Sequence, residues 1–97
     1  MSTVWIPKSA SHDFDNAASF GQLVIIYDDS RDLFNPDRLL ERAREALKNS
    51  SPDDCVLLSG PAMMSIAVYQ AFKEKHGHVN VLLFQPRSND YCKRIVA

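Results

Sequence analysis

Asp54-Cys-Val-Leu-Leu-Ser-Gly-Pro-Ala-Met-Met-Ser-Ile-Ala-Val-Tyr-Gln-Ala-Phe72 is the stretch that decides the fold. Cys55–Leu58 is a short apolar run without alternation, which predicts a strand covered on both faces. Ser59-Gly60-Pro61 is a turn, with Pro61 preset for the first position of a helix. From Pro61 to Phe72 only Ser65 and Gln70 are polar, so the helix is apolar nearly all round. A buried strand, a tight turn and an apolar helix predict an α/β protein with a parallel sheet. Ser59 and Gly60 then fall at the carboxyl end of a strand, where open α/β sheets bind ligands.

Working outward, the same pattern appears twice more. Leu23-Val-Ile-Ile-Tyr27 is a second contiguous apolar run. After the loop Asp28–Asn35, Asn35 and Pro36 supply an N-cap and a first helical residue. Leu39, Leu40, Ala43, Ala46 and Leu47 fall on one face of the helix that follows, and charged residues cover the rest. Pro52 cannot continue it. Downstream, helix two runs to about Lys75, with Gly77 as its C′ residue. Val79–Phe84 is a third strand, Gln85–Asp90 carries turn residues, and Tyr91–Val96 returns as a strand of mixed polarity suited to a sheet edge. Thr3–Ile6 is a short strand closed by Pro7. Asp13, Asp15 and Asn16 are candidate caps for a turn over Ala17–Phe20, which Gly21 ends.

The expected fold is therefore one α/β domain over residues 1–97. It is a single small open sheet with a β-α-β-α-β parallel core, an extra N-terminal strand and a C-terminal β-hairpin strand. The lengths of the crossovers place the runs 23–27, 55–58 and 79–84 at the centre, with Thr3–Ile6 and Tyr91–Val96 nearer the edges.

Several elements together resemble small α/β proteins encoded by bacteriophages and related mobile elements. They are Phe20-Gly21-x-Leu23-Val24, Val56-Leu-Leu-Ser-Gly-Pro61 and Gly77-x-Val79-x-Val81-Leu-Leu83. The likeness covers most of residues 19–97. It implies a phage-encoded protein and brings no activity or catalytic residue with it.

Composition narrows the function classes. The chain has 97 residues, 45% hydrophobic and 24% charged, as in ordinary globular proteins. A chain of this size buries roughly 60–65% of its unfolded surface, so it folds with little to spare. No apolar run reaches the ~20 residues of a membrane span. Met1–Ile6 lacks the basic and apolar regions of a secretory leader, which leads us to expect a cytoplasmic protein read from its natural Met. Cys55 and Cys92 have neither disulfide-framework nor zinc spacing and are expected to stay reduced. Net charge is −1 but uneven. Residues 1–54 hold ten acidic and six basic side chains, and residues 55–97 hold two and five.

Candidate sites follow from these placements. The N–H groups of Ala62 and Met63 at a helix start, with Ser59 and Gly60, could hold an anion. The stretch has neither Gly-x-Gly-x-x-Gly nor Gly-Lys-Ser/Thr, so no cofactor is expected. Asp28 and Asp29 end a strand that could neighbour Cys55–Leu58, and a carboxylate there could hold Mg²⁺ against a phosphate at Ser59. Successive side chains of an extended chain diverge, so only one of the two would face that point. His12-Asp13 and His76-Gly-His78 lack a third ligand at recognisable spacing, and no metal site is expected. Ser59-Gly-Pro is not a nucleophile elbow, and no catalytic residue is assigned. Lys73, Lys75, Arg87, Lys93 and Arg94 with Tyr91 form a basic cluster, but the overall charge argues against a nucleic-acid domain.

Helix two carries the stronger argument. One apolar stripe suffices for a helix on a sheet, so the excess is expected to meet another surface. Met63, Met64 and Tyr69 are the expected interface residues of a homo-oligomer, and a protein partner is the expected ligand. The reading is a non-enzymatic interaction or regulatory module. The alternative is a nucleotide- or phosphate-binding, or Mg-dependent nucleotide-cleaving, domain of half-Rossmann type.

Overall fold

The structure is a computed structural model that describes residues 2–9 and 14–97. Its elements are β1 (Thr3–Ile6), a 3-10 helix (Asp15–Phe20), β2 (Gln22–Ile25), α1 (Pro36–Ala46), β3 (Cys55–Val56), α2 (Ala62–His76), β4 (Val79–Gln85) and β5 (Asp90–Val96). The strands make one five-stranded sheet in the order β2-β1-β3-β4-β5. The first four are parallel, and β5 pairs antiparallel with β4 from Val79↔Val96 to Gln85↔Asp90. The expected α/β architecture, with its parallel crossovers and closing hairpin, is therefore present.

The strand order corrects one expectation. The run 23–27 is an edge strand, not a central one, and Thr3–Ile6 lies between it and β3. The apolar residues of that run do different work. Leu23 packs beside the 3-10 helix, whereas Ile26 and Tyr27 lie past the end of the strand and pack with the helices. The N–H groups of Ile26 and Tyr27 still donate to Ile6 and Pro7 carbonyls, so the chain runs alongside the exit of β1. What holds β1 inside the sheet is Asp54. Its carboxylate accepts from the N–H of Thr3 and the indole of Trp5, each at 3.0 Å.

Local chemistry explains the helices. Asn35 Oδ1 accepts the N–H of Arg38 at the start of α1, with Pro36 at the first position. Gly77 ends α2 with φ of 80°, and its N–H donates to Lys73 O. The 3-10 helix is led by Phe14 without a side-chain cap. Asp13, one of its expected caps, lies outside the described residues. Gly21 is required after it: φ is 149°, and a Cβ there would sit 2.4 Å from Ser2 O.

The two helices pack together on one face of the sheet, joined at the surface by Arg44 and Glu74 at 2.9 and 3.0 Å. That hydrogen bonding holds the Glu74 carboxyl below its ordinary range. Beneath lie Tyr27, Leu39, Leu47, Val56, Met64 and Phe72. Among the described residues the opposite face is covered by the 3-10 helix and its flanks, over Val4, Ile6, Cys55, Leu57, Leu82 and Tyr91. This thinner layer leaves the carboxyl ends of β3 and β4 in part uncovered.

Candidate binding surfaces at the carboxyl ends of the strands

Chain direction diverges between β1 and β3: β1 leads to β2 on one side, β3 to β4 on the other. Their carboxyl ends form the switch point at which open α/β sheets bind ligands. Ser59, Gly60, Ala62 and Met63 are brought together here. Gly60 has φ of 83°, and a Cβ on it would lie 2.7 Å from the Lys8 Cβ, so the loops after β1 and β3 are in contact. Pro61 is the N-cap of α2 rather than its first residue, so the helix begins one residue later than expected, and Pro61 offers no side-chain cap. Met64 and Ser65 donate to Pro61 O, at 3.0 and 3.2 Å. Ser65 Oγ donates to Ser59 O at 3.2 Å. The Ser59 residue is 9% exposed, and its hydroxyl oxygen is buried without a hydrogen-bond partner among the described residues.

Asp28 does not join this group directly. It is exposed on the loop after β2, and β1 separates that strand from β3. Strands two apart lie about 9–10 Å from each other, so the expected adjacency of the run 23–27 to Cys55–Leu58 is absent. Asp29 is held in its own turn. It accepts from Arg31 N at 2.9 Å, Arg31 Nε at 3.0 Å and Arg42 Nη2 at 3.3 Å. These contacts, the Arg31 N–H above all, keep its carboxyl below the usual carboxylate range.

A second surface lies on the 3-10 helix side. A groove of about 650 Å³ opens between the 3-10 helix, the ends of β3 and β4, and the β4–β5 turn. Leu57 and Leu82 are its buried floor, and Leu58, Phe84 and Tyr91 its wall. Phe84 is 50% exposed and meets Tyr91 edge-on, with ring centroids 5.4 Å apart. Asn16 Nδ2 donates to Asn89 O at 2.6 Å and bridges the rim. Asn89 has φ of 53°, a conformation Asn tolerates better than most residues. The sequence carried one signal for this groove. The apolar run Val81-Leu-Leu-Phe84 continues to the end of a strand that has only one covered face left.

The three residues expected at an interface on α2 differ in exposure. Met64 is 0% exposed in the core between sheet and helices, so it faces the sheet and not a partner. Periodicity could not choose a face on a helix that is apolar all round. Met63 and Tyr69 are half-buried against the same core, and Ile66 is the large apolar residue that α2 exposes.

The remaining candidates have local partners. His76 Nε2 meets Ser50 Oγ at 2.9 Å, and His78 Nε2 meets Pro52 O at 3.0 Å. Burial, then the charges of Lys75 and His78, pull the His76 imidazole below its ordinary range. His12, with Asp13, lies outside the described residues. Among the described residues no three His, Cys, Asp or Glu side chains cluster as a metal site. Both cysteines are free thiols, and burial pushes that of Cys55 up. The basic cluster does not form one face. Lys75 donates to the carbonyls of Leu47 and Lys48, Lys73 to that of Ala97, and Lys93 and Arg94 point to opposite sides of β5. No described helix is long and apolar enough to cross a membrane.

No curated protein and no solved structure matches this chain. A family model described as phage Pam3 gp32-like protein matches residues 3–96. The match begins at the first residue of β1 and ends at the last of β5, and the chain belongs to the phage Pam3 gp32-like protein family.

Proposed function

We propose that this phage-family protein is a non-enzymatic interaction or regulatory module, homo-oligomeric and acting in the host cytoplasm through contact with protein. The observation that supports the reading is the concentration of exposed large apolar side chains around β4 and β5. Leu58, Leu83 and Phe84 line the groove, and Ile95 and Val96 lie at the far end of β5, opposite Asn80 and Val79. Apolar side chains gathered this way on a small chain mark contact surfaces, and aromatic residues are favoured at such contacts. A photo-crosslinking residue at position 84, in cells carrying the phage genes, should give discrete polypeptide adducts. The same residue at position 41, on the charged face of α1, should give none. Equal labelling at both positions would remove the reading.

A second reading is favoured by one specific observation, the unpartnered Ser59 hydroxyl at the switch point. Buried polar atoms ordinarily have partners, and an exception invites a ligand. Here the uncapped start of α2 and the Lys8 stem beside Gly60 suit a phosphate or nucleotide, in the manner of a half-Rossmann domain. Thermal unfolding with a nucleotide panel, with and without Mg²⁺, separates the two. A ligand at 100 times its dissociation constant stabilises by about 2.7 kcal/mol. The interaction reading expects no stabilisation. One that Lys8→Ala abolishes would put the phosphate reading in its place.

A further inference from the structure

The loop between β2 and α1 carries Phe34, which is 95% exposed. Its neighbour Leu33 packs on the helix-side core, so the loop is anchored and Phe34 is the large apolar side chain it exposes. The same chain holds an apolar groove of about 650 Å³, walled by Leu58, Phe84 and Tyr91, which lies on the other face of the sheet from the helices. A groove of that volume has room for a phenyl ring and the chain beside it. Projection and groove therefore occur together on one molecule and are not filled by each other within it.

Charge matches them as well. Residues 28–38 around Phe34 hold four acidic and two basic side chains, and residues 84–97 of the β4–β5 hairpin hold three basic and one acidic, with Arg94 on the face away from the groove. Asp29 and Asp32 are paired with arginines of their own loop and of α1. Among the described residues Asp28 and Asp37 make no ion pair, nor do Arg87, Lys93 and Arg94. Lys93 lies opposite Leu82, on the groove side of the sheet. The charges also argue against a simpler self-association. Two β5 edges paired antiparallel about the middle of the strand would bring Lys93 against its own copy, an unfavourable arrangement.

We infer that Phe34 of one copy inserts into the Leu58–Phe84–Tyr91 groove of a second copy of this chain, with the acidic loop around Phe34 set against the basic β4–β5 hairpin. The inference rests on the interaction reading and names the partner as the protein itself. A reciprocal contact closes a dimer, and a one-way contact builds a head-to-tail assembly.

Analytical ultracentrifugation of the purified chain from 1 to 200 µM gives the test. The wild type should associate, and rising salt should weaken the association. Phe34→Ser and Phe84→Asp should each raise the dissociation constant at least tenfold, with circular dichroism used to verify the fold. Ile66→Ser, on the exposed side of α2, should leave it unchanged. Asp37→Lys should weaken association, and Lys93→Glu in the same chain should restore it, an outcome that damage to folding would not produce. A monomeric wild type across this range overturns the inference, as does association that Phe34→Ser leaves intact. The wider reading fails separately. Adducts at position 84 to another polypeptide with a monomeric protein remove this inference and the homo-oligomeric part of that reading but leave contact with a protein partner standing, whereas the absence of any adduct removes both.

Discussion

Replacing Asp54 by alanine should lower the unfolding free energy by about 3–5 kcal/mol, since three donors lose their carboxylate acceptor at about 1–3 kcal/mol each. Asp54 is 3% exposed, and its two carboxylate oxygens accept three donors at 3.0 Å: the N–H groups of Thr3 and Ser51 and the indole of Trp5. Alanine leaves all three donors, which lie in a partly buried region, without their carboxylate acceptor. Each hydrogen bond to a charged group contributes about 1.5–3 kcal/mol, so the loss exceeds that of one neutral bond. A domain of this size has a total stability of about 5–15 kcal/mol, and the variant sits near the edge of folding. The melting temperature should fall by about 15–30 °C at 4–8 °C per kcal/mol. Asp54→Asn retains an oxygen but turns an N–H₂ group toward a donor, and should lie between the two. Trp5 fluorescence reports the same contact, since its indole is one of the three donors. A loss below 1 kcal/mol for Asp54→Ala would show that β1 is held in the sheet by its flanking strands alone.

The same residue shows where sequence reading reached its limit. The α1 start was legible because Asn35 and Pro36 act on their immediate neighbours, and the α2 end was legible because Gly77 supplies a positive φ where a helix stops. Parallel pairing followed from the crossover lengths and the contiguous apolar runs. Strand order did not. Leu23–Tyr27 looks like a central strand because Ile26 and Tyr27 are counted with it, yet these two pack past its end. Thr3–Ile6 looks like an edge because it is short, and the carboxylate that fixes it comes from a residue 49 to 51 positions away. At the candidate sites, the residues around Ser59 and Gly60 were found because strand, turn and helix follow one another in the chain. The groove was not, because Asn16, Leu58, Phe84 and Asn89 come from four separate segments. Met64 was assigned to an interface because a helix apolar on every side has no periodicity from which to choose.

Raising the pH from 10 to 12 should cost the wild-type protein about 2–3 kcal/mol of stability through Tyr27 alone. Tyr27 is fully buried, its hydroxyl donates to Leu39 O at 2.6 Å, and burial pushes the phenol up to about 12. The Arg42 guanidinium, 5.1 Å from the centre of the ring, opposes that rise without cancelling it. The direction follows from proton counting. The unfolded chain releases this proton near pH 10, and the folded chain keeps it to about 12, so between these values the folded state holds more protons. Stability from this group is complete below pH 10 and declines by up to about 1.4 kcal/mol per pH unit across the window. Tyr27→Phe isolates the contribution of this group. At neutral pH the variant should lose about 1 kcal/mol, since the Leu39 carbonyl gives up its buried donor. Above pH 11 its stability should fall less steeply than that of the wild type, so that the two curves converge and cross. Urea denaturation at fixed pH values from 7 to 12 makes the comparison. Parallel curves would mean that the Tyr27 phenol ionises as readily in the folded chain as in the unfolded one, and that α1 does not seal it from water.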